Sequence, residues 1–191
     1  MRILYIDTTT PDLVVAVVEQ NKIVNVTAPT VGTHHSEMLC EKVDEALKKA
    51  QIDFCDLDAY ACAIGPGSFT GIRIGISTVK GYCTARPLPY LSVCCLQATA
   101  RSEACGSKGS AAIDAGNGYY FADYSASTPP TLVSYDDERV KNAGTADSAT
   151  DYFDGAIELI RERFASGNFD SELTPLYIRR SQAEENRKCK N

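Results

Sequence analysis

The chain has 191 residues, of which 44% are hydrophobic and 23% are charged, and this length can bury a substantial core without disulfide or metal support. Lys and Arg number 19 against 25 Asp and Glu, and a net charge of −6 argues against a free-standing nucleic-acid-binding protein, which needs a basic excess. The eight cysteines include no CxxC pair, which argues against a zinc ribbon. Asp7 interrupts the first apolar run after four residues, which is too short for a signal-peptide core, and no run approaches the length of a membrane span. We expect a cytoplasmic protein.

The first hundred residues alternate between short apolar runs and amphipathic segments. The apolar runs predict strands at 2–7, 13–18, 23–26, 59–64 and 87–91. Apolar spacing predicts helices at about 36–50, 68–84 and 93–104, with Ser68 as the N-cap of the second. The resulting order, βββαβαβα, is that of a ribonuclease H-like lobe, the half-unit of the actin-like ATPase superfamily, although other mixed α/β sheets share it. We therefore expect an α/β fold with a mixed sheet in a first lobe that spans 1–105.

The second half of the chain contains fewer elements. Strands are predicted at 110–114, 119–124 and 131–133, followed by a polar region at 136–150 and a helix at about 151–164. The segment 174–182 is expected to be extended at first, because Pro175 disfavours helix in the residue before it. These elements predict an abbreviated second lobe over 106–191, with the last residues packing back on the first lobe.

A glycine-rich segment, Gly-Pro-Gly-Ser-Phe-Thr-Gly-Ile-Arg-Ile-Gly at 65–75, lies between a predicted strand and a predicted helix. Backbone N–H groups at such a junction can hold an anion, although the segment matches neither the Walker A loop nor the dinucleotide-binding fingerprint. A polar cluster also follows the first strand. The candidate nucleotide- or phosphate-binding residues are therefore Asp7, Thr8, Thr9, Gly65, Gly67 and Ser68. In the alternative interpretation, both segments are turns whose side chains cap backbone groups.

Two glycines, Gly71 and Gly75, lie four residues apart within the second predicted helix, where each is unfavourable relative to alanine. Such a pair makes a flat strip that lets another backbone approach closely. A separate apolar stripe on this helix can face the sheet, and it consists of Ile72, Ile76, Val79 and Cys83. The strip therefore predicts a second packing partner, which is either a helix of the same chain or another protein.

The two histidines, His34 and His35, are adjacent in sequence, and adjacent side chains point apart, so they make a poor metal chelate. A histidine pair on a helix needs a spacing of four, and the residue four after His35 is Leu39. The Gly-x-Ser-x-Gly motif of serine hydrolases is absent as well. We expect no metal site and no catalytic residue. No cofactor is expected beyond weak nucleotide binding.

Several motifs together resemble the TsaB (YeaZ) family. They are Ile6-Asp7-Thr8-Thr9, His35-Ser36 with Leu39, the glycine-rich segment 65–75, Ile113-Asp114-Ala115 with Tyr119-Tyr120, and Pro175-Leu176-Tyr177-Ile178-Arg179 with Gln182-Ala183-Glu184. The resemblance implies an actin-like, ribonuclease H-like fold and a role in forming threonylcarbamoyladenosine next to the tRNA anticodon. It also implies a non-catalytic paralogue of TsaD, the subunit that transfers the threonylcarbamoyl group. TsaD-like proteins carry a metal-binding histidine pair on the first helix, whereas here the second position is Leu39.

Family members pair with TsaD, or with themselves when it is absent, through the helices placed here at 36–50 and 68–84. An ATPase, TsaE, joins the complex, and tRNA contact is left mainly to the partner. The interface residues that the resemblance implies are His35, Met38, Leu39, Glu41, Lys42, Thr70, Gly71, Arg73, Gly75 and Thr78. A bulky residue in place of Gly75 is accordingly expected to block dimerisation and to leave the fold largely intact.

Two features depart from the family pattern. Gly116 follows Asp114-Ala115 where the family often has arginine, and the second lobe is short. An alternative function of a different class is a small actin-like ATPase or phosphotransferase. In that case Asp7 would hold Mg²⁺ and the turn at 65–68 would contact phosphate, although a short second lobe is a poor match for an enzyme that closes two full lobes over its nucleotide.

Overall fold

The computed structural model describes residues 1–29, 34–106 and 109–178. In its first half, strands β1 (Arg2–Asp7), β2 (Asp12–Glu19) and β3 (Ile23–Pro29) form an antiparallel meander, and β4 (Ala59–Gly65) and β5 (Tyr90–Cys94) continue the sheet in parallel with β1. The order of this five-stranded sheet is β3-β2-β1-β4-β5. Helices α1 (His35–Ala50), α2 (Phe69–Ala85) and α3 (Cys95–Arg101) complete the predicted βββαβαβα order, which is confirmed.

Both faces of the first sheet are buried, which explains why β2 is continuously apolar rather than alternating. Successive side chains of a strand point to opposite faces. Leu4 and Ile6 of β1 therefore pack under α1 and α2, whereas Ile3 and Tyr5 face the opposite side. The core on that opposite side is continuous with the second lobe, since it contains Ala111, Ile113 and Ala122 together with residues of α3 and of a helix at Phe153–Ala165.

The second lobe contains a four-stranded sheet made of β6 (Ser110–Asp114), β7 (Tyr119–Asp123), β8 (Thr128–Val133) and β9 (Gly144–Ala146), and helix α4 (Phe153–Ala165) follows. The order of the strands in this sheet is β8-β7-β6-β9. The polar region predicted at 136–150 contains β9 and a short 3₁₀ helix, Glu138–Asn142. A three-residue strand has too few side chains to show an alternating pattern, so it left no signal in the sequence.

Several predicted boundaries were wrong. The third strand, predicted at 23–26, continues to Pro29, and the strand predicted at 131–133 begins at Thr128. The fifth strand, predicted at 87–91, begins at Tyr90, because the segment that follows α2 first turns through Arg86, whose guanidinium donates to the Phe54 and Leu57 carbonyls. The third helix, predicted at 93–104, runs only over Cys95–Arg101. Ser102 ends it, with an extended backbone and its amide bonded to the Ala98 carbonyl.

Helix α4 and the segment after it lie against the first sheet. Arg163 of α4 donates to the Ser92 carbonyl of β5, and Leu173 is fully buried in the core beneath α1 and α2. The Leu176 amide donates to the Ile64 carbonyl over 2.9 Å. Residues 174–178 have no regular secondary structure, and the rest of the segment predicted to be extended, 179–182, lies outside the described residues. The division of the chain at 105 stays a prediction.

Candidate functional site

Asp7 lies at the end of β1 and is fully buried, and its carboxylate is surrounded by donors. One oxygen accepts from the Thr9 backbone amide over 2.8 Å and from the Thr9 hydroxyl over 2.7 Å. The other oxygen accepts from the Tyr5 hydroxyl over 2.9 Å and from the Tyr152 hydroxyl over 2.8 Å. A carboxylate has about four acceptor positions, and four donors occupy them here.

The two tyrosines in this network stay protonated donors. Burial, and then the charge of Asp7, hold the pKa of Tyr5 and of Tyr152 well above the ordinary value of 10.0. Tyr152 precedes α4, so its bond to Asp7 joins the start of α4 to the end of β1. The sequence gives no signal for Tyr152, because 145 residues separate it from its partner and no local motif marks it.

We expect Tyr152→Phe to lower the free energy of unfolding by about 1–2 kcal/mol, because it leaves one acceptor of a buried carboxylate without its donor. Urea unfolding followed by circular dichroism measures this loss. The matched control is Tyr135→Phe, which removes a hydroxyl bonded to Asp114 on a side chain that is 51% exposed. That control is expected to stay within about 0.5 kcal/mol of the wild type. Equal losses in the two variants would contradict a specific role for Tyr152.

The glycine-rich turn docks onto the loop that follows β1. The Ser68 amide donates to the Thr9 carbonyl over 2.8 Å, and the Thr8 hydroxyl donates to the Gly71 carbonyl over 2.7 Å. Ser68 caps α2 as predicted, since its hydroxyl accepts from the Gly71 amide. A Cβ at Gly67 would lie 2.9 Å from the Thr9 Cβ, so glycine is needed there for the close approach. The structure thus brings five of the six candidate nucleotide-binding residues together, whereas Gly65 faces Ile72 and Leu176. The hydrogen bonds of the five run to one another and to Tyr5, Tyr152 and Gly71.

A cleft of about 260 Å³ separates this junction from the second lobe. Its lining is rich in hydroxyls and carboxylates, with Thr9, Thr10 and Ser68 on one side and Asp114, Asp147 and Tyr120 on the other. Asp114 is turned toward its own loop, where one oxygen accepts from the Gly116 amide. The described lining residues include no lysine or arginine. Such a surface disfavours a triphosphate, which proteins hold with cations and clusters of N–H donors.

Three of the ten predicted interface residues are buried within this chain, which corrects the prediction for them. Leu39 is 2% exposed and packs in the core beneath α1. Gly71 and Gly75 face the loop after β1: a Cβ at Gly71 would overlap the Thr8 carbonyl oxygen, and one at Gly75 would lie 2.6 Å from the Thr8 Oγ1. The flat strip therefore packs against a loop of the same chain, and it belongs to the same inward face as Ile72, Ile76 and Val79.

The other seven predicted interface residues have exposed or partly exposed side chains. They are His35, Met38, Glu41 and Lys42 on α1, with Thr70, Arg73 and Thr78 on α2. Some of these groups already have partners in the chain. His35 Nε2 lies 3.3 Å from the Pro11 carbonyl oxygen, and Lys42 is bonded to Glu45 over 2.8 Å. Hydrogen bonds from Lys42 and then Lys49 lower the pKa of Glu45 to about 2. Arg73 is the exposed cation of this set on α2.

Comparison with known proteins places the chain in a family. A family model described as TsaD, tRNA N6-adenosine threonylcarbamoyltransferase, matches residues 21–128, which is more than half of the sequence. The chain belongs to the TsaD family. Within it, the chain is a homologue of the tRNA threonylcarbamoyladenosine biosynthesis protein TsaB of Escherichia coli K12, with 36% identity over 129 residues that cover 65% of this chain and 55% of that protein.

Other relatives support the same placement. An uncharacterised protein of Mycobacterium tuberculosis H37Rv is 37% identical over 98 residues, which cover 50% of this chain and 46% of that protein. The matches therefore span about half the length of these curated relatives. A crystal structure from Pseudomonas aeruginosa, of an uncharacterised protein with similarity to the peptidase YeaZ, superposes with a TM-score of 0.74 at 22% identity, covering 93% of this chain and 99% of that chain. YeaZ from the same organism gives a TM-score of 0.71. The actin-like, ribonuclease H-like fold predicted from the sequence is confirmed.

Within residues 1–29, 34–106 and 109–178, no helix combines the length and the hydropathy of a membrane-spanning segment. In the same part of the chain, no three His, Cys, Asp or Glu side chains are grouped as metal ligands would be.

Proposed function

We propose that this chain is a non-catalytic accessory subunit for the formation of N6-threonylcarbamoyladenosine on tRNA. It pairs with a TsaD-type transferase and holds that subunit in its active state, and a TsaE-type ATPase acts in the same complex. Membership of the TsaD family and 36% identity to Escherichia coli TsaB support this role. The net charge of −6 supports leaving tRNA contact mainly to the partner.

The observation that carries the non-catalytic assignment is the enclosure of Asp7. A carboxylate that held a Mg²⁺–nucleotide would need an oxygen directed into the cleft, whereas all four acceptor positions of Asp7 are filled by Thr9, Tyr5 and Tyr152. Opening the site would require breaking buried bonds to two tyrosines. Leu39 adds to this assignment, because the position that would carry the second histidine of a metal pair holds a buried leucine instead.

The surface proposed for pairing is the outer side of α1 and α2, which lie next to each other on the first sheet. The exposed charged residues of α1 are Glu37, Glu41 and Asp44, followed by Lys48 and Lys49 in its last turn, whereas those of α2 are Arg73 and Lys80. The acidic first part of α1 and the basic α2 suit a partner built on the same fold, since an antiparallel arrangement sets unlike helices against each other. The pairing acts by conformation, with no covalent chemistry on this chain.

The test is threonylcarbamoyl transfer to unmodified tRNA in a reconstituted mixture. The mixture holds the TsaD-type subunit, the TsaE-type ATPase and threonylcarbamoyl-adenylate, with or without this chain. We expect product only when the chain is present. Thr70→Arg, a change on the exposed side of α2, is expected to lower the rate about tenfold through steric and charge conflict at the interface.

The matched control is Thr145→Arg, the same substitution at an exposed position of β9 in the second lobe, which is expected to leave the rate unchanged. Equal product without the chain would contradict the accessory role and would favour the ATPase alternative. Equal rates for the two arginine variants would contradict the placement of the interface on α2.

A further inference from the structure

The segment that follows α4 forms a strap, residues 170–177, that crosses the first sheet and ends on α2. The Asp170 amide donates to the Tyr90 carbonyl over 3.1 Å, and the Tyr90 hydroxyl donates to the Ser171 carbonyl over 2.8 Å. Leu173 is fully buried, and the Leu176 amide donates to the Ile64 carbonyl. The strap is thus fixed at several points before it reaches the outer side of the helix.

The last aromatic residue of the strap, Tyr177, lies against the first turns of α2. Its ring stacks on Phe69 with a centroid separation of 4.7 Å and an interplanar angle of 18°. Its hydroxyl accepts a hydrogen bond of 2.9 Å from Arg73 Nε, and the guanidinium carbon lies 5.7 Å from the ring centroid. A bond at Nε and a contact with the ring together restrict the rotamers of a side chain that is otherwise long and mobile.

Within the described part of the chain, the two terminal nitrogens of Arg73 have no hydrogen-bond partner. Among the described residues, Arg73 has no ion pair with a carboxylate, although its side chain is exposed. Two parallel N–H donors match the two oxygens of a carboxylate. The ring of Tyr177 lies beside them and offers an apolar surface, since this residue is 40% exposed. Tyrosine and arginine are also the side chains that most often anchor protein interfaces.

We propose that Tyr177 is a positioning residue that holds Arg73 ready to bind a carboxylate of the TsaD-type partner, so that the pairing surface extends from α2 onto the strap. This inference rests on the proposed function. A tRNA phosphate has similar chemistry, but the neighbouring helix α1 carries exposed Glu37 and Glu41, and the chain is acidic as a whole. These charges repel a polyanion such as tRNA more strongly than a single carboxylate, so a protein carboxylate is the better match. Fixing the guanidinium before binding reduces the entropy that is lost when the complex forms.

The test is calorimetric titration of the TsaD-type subunit into this chain. Arg73→Ala is expected to weaken the affinity about tenfold or more, and Tyr177→Phe, which keeps the ring and removes the acceptor, about fivefold. Tyr90→Phe is the matched control: it removes another hydroxyl that fastens the strap, but one that does not contact Arg73, and it is expected to stay within about twofold of the wild type. In an Arg73→Ala background, Tyr177→Phe is expected to have no further effect, because it acts through Arg73.

The outcomes separate this inference from the proposed function. If Tyr177→Phe and Tyr90→Phe weaken the affinity equally, Tyr177 is only a structural contact and the inference is overturned. The same holds if Tyr177→Phe has its full effect in the Arg73→Ala background. The inference is also overturned if Arg73→Ala weakens tRNA binding, measured by filter binding, and leaves the affinity for the TsaD-type subunit unchanged. If pairing is lost in Thr70→Arg but is unchanged in Arg73→Ala and Tyr177→Phe, the proposed function stands and the inference is overturned. No binding by the wild-type chain would overturn both.

Discussion

Replacing Gly71 with alanine is expected to destabilise the protein by about 3 kcal/mol or more, although alanine is the better helix former. The new Cβ would overlap the carbonyl oxygen of Thr8, which is a backbone atom in a buried loop and has no rotamer by which to move away. Relief requires α2 to shift from β1, which would also stretch the bond from the Thr8 hydroxyl to the Gly71 carbonyl. Urea unfolding followed by circular dichroism measures the loss.

The control for Gly71→Ala is Gly81→Ala in the same helix. A Cβ at Gly81 would meet nothing within 4 Å, so this substitution is expected to stabilise the protein by about 0.5–1 kcal/mol through helix propensity alone. The opposite signs of the two substitutions are the decisive result. Similar small effects in both would contradict the close approach of α2 to the loop after β1.

The same geometry changes the expectation for Gly75. A bulky side chain there was expected to block dimerisation and leave the fold intact, but the residue faces the Thr8 hydroxyl and the Cys62 Sγ inside the chain. A leucine at this position therefore damages the core, and loss of pairing in such a variant would say nothing about the interface. Exposed positions such as Thr70 and Arg73 are the appropriate sites for that question.

The sequence predicted the first lobe well because its signals are local. The apolar run 13–18, the stripe of α1 and the Ser68 cap each depend on residues close in the chain, and each appears in the structure. The glycine pair likewise predicted a close backbone approach. Its spacing could not identify the partner, because Thr8 lies 63 residues from Gly71 and the contact depends on where β1 ends beside β4.

The candidate site, too, could be predicted from the sequence only in part. The sequence placed Asp7, Thr9 and Ser68 at one junction, and the structure agrees. Whether that junction is open or enclosed depends on Tyr152, an aromatic residue before α4 that no motif distinguishes. Its hydroxyl reaches Asp7 because the second lobe packs against the first sheet. Whether the carboxylate is open or enclosed therefore depends on tertiary structure alone.

The enclosure of Asp7 also bears on the proposed role of the chain as an accessory subunit. With Asp7 enclosed, the junction between the lobes holds β1, α2 and α4 together through Thr8, Thr9 and Tyr152. Helix α2 is thereby fixed at its buried side by the glycines and at its first turns by the strap. A rigid helix that presents Arg73 at a defined place is what a subunit that binds by conformation requires.

Replacing Asp7 with asparagine is expected to lower the free energy of unfolding by about 3 kcal/mol. The amide nitrogen cannot accept a hydrogen bond, so whichever way the side chain is oriented, either the Thr9 donors or the two tyrosine hydroxyls lose their acceptor. Asp123→Asn is the matched control, because that carboxylate accepts from the Ser125 and Ala126 amides near the surface, where water can replace lost bonds. Its loss is expected to stay below about 1 kcal/mol.

The same variant separates the two proposed functions, because they assign Asp7 different roles. If Asp7 is structural, Asp7→Asn supports threonylcarbamoyl transfer in the reconstituted mixture at the wild-type rate, provided the assay temperature lies below its unfolding transition. The ATPase alternative instead requires ATP turnover by the isolated wild-type chain and its loss in Asp7→Asn. If ATP turnover disappears in the variant while the free energy of unfolding is unchanged, the carboxylate opens to bind Mg²⁺ in solution. The accessory role would then have to be abandoned.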